Sequence, residues 1–290
     1  MALSDKNRNL VIRITTAAVA VPILIFFLEQ GGLFVSLGLL FATMLSAVEY
    51  FKVVAKDDVP TQVVGVAAAT MIGALSTFGP YLPVTHNFGR LVSAGLLILM
   101  AILCMVATFF LLHPGDMATA WPRLAMLVGG ALYTGLPLSF IARVREAFPD
   151  GSGRLWCYLP MVLTWGNDTF AYICGRAFGK HKLAPAISPG KTWEGFIGAL
   201  FCTVGAAFVW RAVAMPQLTV ADCIALGGVI SILGPIGDLT ESVWKRSMGI
   251  KDSGTMIPGH GGLLDRIDAL MFTGPYLYFY AAFMHPWAPF

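Results

Sequence analysis

Nine apolar stretches of about 20 residues constrain this chain more than any other feature. They run roughly over 10–28, 32–54, 61–79, 91–112, 122–143, 155–177, 193–214, 219–244 and 267–285. A helix crossing a bilayer needs about 20 mostly apolar residues. Lipid-exposed backbone must satisfy its own hydrogen bonds, so unbroken apolar runs predict helices; a membrane barrel would show alternating strands of about ten residues. Composition agrees, since 12% of the 290 residues are charged and 57% hydrophobic, where soluble domains carry about 25% charged residues. The expected fold is therefore an all-α integral membrane protein. It is read as a polytopic bundle of about nine transmembrane helices, with a cytoplasm-facing polar site in its C-terminal half. Gly31-Gly32, Gly79-Pro80, Pro114-Gly115 and Asp150-Gly151 mark turns between spans. No linker is long enough to separate soluble domains, and no internal repeat is visible.

Basic residues set the orientation. With the N-terminus inside, fourteen Lys and Arg fall on the cytoplasmic side and five (Arg90, Arg143, Arg145, Arg154, Arg211) on the other, as the positive-inside rule requires. The 143–154 loop is the exception to that asymmetry. The expected location is an inner (plasma) membrane of bacterial type, with the N-terminus and polar site cytoplasmic. Lys6 and Arg8 before the first apolar run outline a signal peptide, but the run outlasts an h-region, so an uncleaved span is expected. A net charge of +3, scattered along the chain, gives no footprint for nucleic acid. The five cysteines lie in apolar segments without a C-x-x-C pair, which argues against a disulfide framework or zinc.

The two halves differ in chemistry. Residues 1–154, spans one to five, are nearly bare of intramembrane charge; Arg13 and Glu49 sit near span ends, where side chains can snorkel. Ala67, Ala68 and Ala69 suit close helix approach. Residues 155–290 place Asn167, Asp168, Arg176, Asp238 and Glu241 in or at the mouths of spans. A centred ionisable residue costs at least about 2.5–3.5 kcal/mol, so such residues mark function.

Helical spacing groups them. Asp238, Glu241, Ser242 and Lys245 stand at i, i+3, i+4 and i+7, on one stripe. Asp265 and Asp268 share a face if a helix begins near Leu263. Two helix ends offering carboxylates suit Mg²⁺; an internal salt-bridge network with Lys245, Arg246 and Arg266 suits the same spacing. In Pro258-Gly259-His260-Gly261-Gly262, bare backbone N–H groups can nest an anion, or the glycines only serve a tight turn of positive φ. His260 can orient a phosphate, act as an acid, or merely cap that turn. Ser188-Pro189 reads as an N-cap with proline at the first helical position. Gly190-Lys191-Thr192 looks like the end of a P-loop, but Pro185 stands where that motif needs glycine and no parallel strand precedes it. Asp168, Tyr172 and Arg176 form a second polar stripe, which a buried network between helices would explain equally. His86, His113 and His285 are isolated, and no H-E-x-x-H or G-x-S-x-G occurs.

The stretch from Ser242 to Asp268 resembles the signature of the CTP:phosphatidate cytidylyltransferases (CDP-diacylglycerol synthases). That pattern, S-x-x-K-R, then K-D, then H-G-G-x-x-D-R-x-D, is met by Ser242, Lys245, Arg246, Lys251, Asp252, His260, Gly261, Gly262, Asp265, Arg266 and Asp268. The likeness extends to Asn167-Asp168, Ser188 to Gly195 and Gly237 to Ser242. Gly190 departs from it, since many members carry a basic residue there. The resemblance implies transfer of CMP from CTP to the phosphate of phosphatidic acid, releasing pyrophosphate in phospholipid biosynthesis. It implies Asp238 and Asp265, and less directly Asp268, as ligands of a Mg²⁺ site with room for a second cation. Lys245, Arg246, Lys251 and Arg266 would then neutralise phosphates, and His260 with Gly261 and Gly262 would hold the triphosphate. Asn167, Asp168, Ser188, Lys191, Thr192 and Asp252 would complete the substrate side. A homodimer in the bilayer is a further implication. Two unit charges 4 Å apart at an effective dielectric of ~20 repel by about 4 kcal/mol, so placing cations between the two polyanions is most of the catalysis. A CTP-dependent polytopic lipid kinase and a membrane transporter are the alternatives; broken helices or repeats would favour the latter.

Overall fold

The computed structural model describes residues 5–78, 88–113, 115–148 and 150–285, with backbone alone over 5–10 and 88–98. The turn at Gly79-Pro80, Pro114 and His86 lie outside the described residues. Among the described residues ten helices follow in order: α1 (Asp5–Gln30), α2 (Gly32–Val54), α3 (Val59–Phe78), α4 (Phe88–Leu112), α5 (Met117–Gly135), α6 (Pro137–Glu146), α7 (Gly153–Phe178), α8 (Trp193–Val213), α9 (Val220–Ser247) and α10 (Leu264–Met284). Within the described residues the expected apolar runs fall on helix. The run at 122–143 is divided at Leu136, because the Pro137 that opens α6 has no N–H to continue the ladder of α5. Among the described residues, six stretches are long and apolar enough to cross a bilayer: 11–30, 32–54, 59–78, 117–146, 193–213 and 220–247. Large apolar side chains such as Leu111, Phe201, Val213 and Phe283 lie exposed, as an all-α protein in lipid requires.

One feature was not expected. Between α7 and α8 lies a short antiparallel hairpin, β1 (Lys182–Ala184) and β2 (Ser188–Thr192), with Lys182 opposite Thr192 and Ala184 opposite Ser188. Ser188 is therefore no N-cap. Pro185 follows Ala184 in a tight turn closed by Ile187 N–H to the Ala184 carbonyl, 3.2 Å, and proline's fixed φ suits that position. Helix α8 starts five residues later, with Thr192 as its cap; its hydroxyl accepts the Gly195 N–H at 3.2 Å.

The chain forms two compact units. The first comprises residues 1–143 together with 253–264; the second comprises 144–252 and 265–290. In the first, small residues let α3 and α5 touch backbone to backbone: a Cβ on Gly135 would strike the carbonyl of Ala69, and one on Gly73 would press on the Gly135 carbonyl. Ala68 and Ala69 are fully buried, while Ala67 is exposed. Arg123 bonds Asp58 at 2.5 Å and lies 5.4 Å over the Phe110 ring.

In the second unit the same device recurs. A Cβ on Gly195 would meet the Ala171 carbonyl and the Gly175 Cα, one on Gly227 the backbone of Val204, and one on Gly237 the Asp268 carbonyl at 2.5 Å. These contacts lock α7 to α8, α8 to α9 and α9 to α10. At the start of α9, Thr219 and Asp222 form a reciprocal capping box, and Asp222 accepts the Tyr280 hydroxyl at 2.6 Å. His285 is buried there, 3.6 Å from Asp222 and edge-on to Trp156. It is a packed residue, not an isolated one at a span end.

Candidate active site

The second unit holds a cavity of about 430 Å³ lined by α7, α8, α9 and the hairpin. Asn167, Asp168, Tyr172, Arg176, Ser188, Lys191, Thr192 and Asp238 contribute its polar wall. Leu183, Phe196, Ala199 and Pro235 contribute the apolar one. Its width follows from glycines. Gly175 and Gly195 bring α7 and α8 together at its base, and Thr192 fills the space beside them. The hairpin carries Lys191 inward: Lys191 Nζ lies 2.6 Å from Asp238 Oδ2, and the Ser242 hydroxyl donates to Asp238 Oδ1 at 3.2 Å. The Asp238–Ser242 step of the stripe on α9 thus exists as a contact.

A second pair lies one turn on. Lys245 donates to Asp265 Oδ1 at 2.7 Å, and its Nζ stands 3.3 Å from Glu241. All three side chains are buried, Glu241 completely. Burial of charge is tolerated only where each group meets its opposite; Lys245 gives its hydrogen bond to Asp265, and among the described residues neither Glu241 oxygen has a hydrogen-bond partner. Asp168, Asp238 and Asp268 feel one another's charge, and Asp168 also feels Lys191 and Arg266. Arg266 and Asp168 are exposed, the latter facing the cavity. Arg246 donates to the Ile250 carbonyl at 2.8 Å, fastening the turn that follows α9. Lys251 and Asp252 are exposed.

Asn167 is buried. Its Oδ1 accepts the Thr203 hydroxyl at 3.1 Å, while its Nδ2 has no hydrogen-bond partner among the described residues. An enclosed amide donor without a partner is expensive, and this one belongs to the cavity lining.

His260, Gly261 and Gly262 fold with the first unit. Gly259 and Gly261 have φ of 75° and 83°, so the turn does need left-handed backbone. Ile257 and Gly261 bridge across it, and Thr16 donates to the Pro258 carbonyl at 3.0 Å. The His260 Nδ1 is enclosed without a hydrogen-bond partner among the described residues. Three polar residues escaped sequence reasoning. Thr203 is one; a threonine within an apolar run carries no local signal. Glu194 is another, taking the backbone N–H groups of Lys180 and His181 and facing the His181 ring at 2.6 Å. Glu49 is the third. It does not snorkel: it is 4% exposed and accepts the N–H groups of Leu263 and Leu264 at 3.0 and 2.9 Å.

Carboxylates of this kind are hard oxygen donors. Asp168 on α7, Asp238 on α9 and Asp268 on α10 lie within reach of one another's charge. Among the described residues no three such groups converge as a ready cage. Mg²⁺ asks for none, being held through one or two carboxylates, waters and substrate phosphates.

A profile described as "Cytidylyltransferase family" matches residues 11–284. A Bacillus subtilis (strain 168) protein named phosphatidate cytidylyltransferase is 38% identical over 152 residues, covering 52% of this chain and 56% of that protein. A Staphylococcus aureus (strain COL) protein of the same name is 40% identical over 145 residues, 50% of this chain and 54% of the relative. A Staphylococcus epidermidis (strain ATCC 12228) protein, again so named, is 39% identical over the same shares. The match therefore spans about half the length of these relatives.

Proposed function

The chain belongs to the cytidylyltransferase family, and from that premise we propose that it converts CTP and phosphatidate into CDP-diacylglycerol and pyrophosphate. The observation that carries the reading is the pair of lysine–aspartate bridges, Lys191–Asp238 and Lys245–Asp265. Each lysine is neutralised by an acid that an incoming phosphate can replace. The exchange presents cations to the substrates and frees carboxylate oxygens together. Lys191, with Ser188 and Thr192 beside it, receives one phosphate group in the cavity. Lys245, Arg246, Lys251 and Arg266 neutralise the remainder, and Asn167 offers its unpartnered N–H to a substrate oxygen.

In the reaction a phosphatidate oxygen attacks the α-phosphorus of CTP. A new P–O–P bond forms, the bond from the α-phosphorus to the β-phosphate oxygen breaks, and pyrophosphate leaves with its electron pair. No separate base is required, because the attacking phosphate is already ionised. Asp238 and Asp265, with Asp268, would hold Mg²⁺, which supplies charge neutralisation on the phosphoryl oxygens when bound; a second cation would share the same acids. The loop of His260, Gly261 and Gly262 would bind triphosphate, with Asp168 and Asp252 bounding the nucleotide side.

The remaining parts of the reading rest on sequence. Nine crossings, an N-terminus and site on the cytoplasmic side of a bacterial inner membrane, and residues 155–290 as the catalytic half follow from hydropathy and charge bias. A homodimer follows from the family resemblance. The test is turnover by purified protein given labelled CTP, phosphatidate and Mg²⁺. CDP-diacylglycerol with pyrophosphate is the expected outcome. CDP with a phosphorylated lipid alcohol would replace the reading with a kinase, and no turnover of any lipid would favour transport.

A further inference from the structure

A carboxylate inside an apolar helix needs a reason, and Glu49 on α2 has an unusual one. It meets residues more than 200 positions away, all within its own compact unit. Oε1 accepts the Leu263 N–H at 3.0 Å; Oε2 accepts the Leu264 N–H at 2.9 Å and the Ser253 hydroxyl at 3.3 Å. Leu264 is the first residue of α10, whose opening N–H groups have no partner within the helix. The cap that most helices take from a neighbouring side chain is here delivered by another helix. A negative charge also suits that end of the helix dipole.

The glycines of the loop carry the second, independent observation. Gly259 and Gly261 adopt positive φ, but Gly254 and Gly262 do not. Space explains these two: a Cβ on Gly254 would sit 2.8 Å from Glu49 Oε1, and one on Gly262 would strike the Ser253 hydroxyl and sit 2.6 Å from Glu49 Oε2. The carboxylate thus reaches both ends of the 253–264 loop, occupying the volume that two side chains would otherwise take.

We propose that Glu49 is a positioning residue for the reaction, holding the 253–264 loop closed and fixing where α10 begins. Asp265 is the next residue after Leu264, and His260 lies within the pinned loop, so Glu49 acts through them without touching substrate. The catalytic half of this proposal rests on the cytidylyl-transfer reading; the anchoring half does not. The 290-residue chain in detergent, as wild type, Glu49→Gln and Gly254→Ala, tests both. Glutamine keeps the shape but turns an amide N–H toward a backbone donor, and the Gly254 methyl displaces the carboxylate from the loop side. Hydrogen exchange of peptides covering 253–264 should rise in both variants while the other helices stay protected. In each, kcat/KM for CTP should fall by about tenfold or more, and the losses in the double variant should not multiply, because both remove one contact.

Exchange and kcat/KM within twofold of wild type in both variants would overturn the proposal. So would exchange raised equally in every helix, which marks a residue supporting the whole fold. Should wild type turn over no CTP, the functional reading fails, and exchange at 253–264 alone decides whether Glu49 is the anchor.

Discussion

At the scale of single residues, Asp265 and Lys191 separate two kinds of contribution. Asp265 is buried against Lys245, so Asp265→Asn keeps an acceptor for the lysine and the fold, but loses a full charge where the proposed reaction would bring phosphates and cation together. Turnover should drop by about a hundredfold or more, with helical content and detergent-solubilised yield unchanged; substantial residual activity would remove Asp265 from the reaction. Lys191→Met acts differently. Its side chain lines the cavity rim, 24% exposed, so KM for CTP should rise about tenfold with a smaller change in kcat. Lys245→Met leaves two buried carboxylates facing each other, and should cost about 3–5 kcal/mol of stability, read as a lower melting temperature. Much of this pattern was legible, because Asp238, Ser242 and Lys245 recur at helical spacing and spacing determines which side chains meet on one helix. Glu49 was not legible. Its partners are backbone amides across the chain, and no residue-level signal marks an amide.

At the scale of elements, close crossings carry the argument. Gly237→Ala would drive a methyl into the Asp268 carbonyl, moving α9 off α10 beside Asp238. It should lower activity at least about tenfold and destabilise by about 1–3 kcal/mol. Gly228→Ala, also on α9, meets nothing within 4 Å and should leave both unchanged; equal effects would refute the crossing as the cause. The hairpin shows where sequence reading stopped short. Ser188-Pro189 is a good helix start taken locally, yet the turn at Pro185 pairs this segment with Lys182–Ala184. Tertiary pairing delays the helix until Thr192. That delay is useful, since it puts Lys191 on a strand end aimed at Asp238 instead of on a helix face.

At the scale of the whole molecule, helix positions were legible because membrane spans announce themselves by length and polarity. The division into compact units was not, because 253–264 packs with residues far earlier in the chain. The first unit carries its own pH signature outside the spans. Burial pushes Asp58 up, but hydrogen bonds from Thr61 and Arg123, with the charge of Arg123, outweigh it and hold the carboxyl below its usual value. A depressed carboxylate stabilises above the unfolded pKa of about 3.9 and loses that contribution as pH falls through its folded value. Melting temperatures of wild type and Asp58→Asn should therefore differ by a constant amount above about pH 5 and converge below about pH 4. A gap that persists in acid would assign the difference to packing.

The loop held by Glu49 has a consequence for anyone recombining such proteins. Its twelve residues follow the late helices in sequence and belong by contact to the first helices. A hybrid joining the early spans of one relative to the late spans of another would inherit a lock without its key wherever the donor lacks an acid at this depth. Swapping halves at a tidy loop boundary should fail, and restoring one glutamate should repair it.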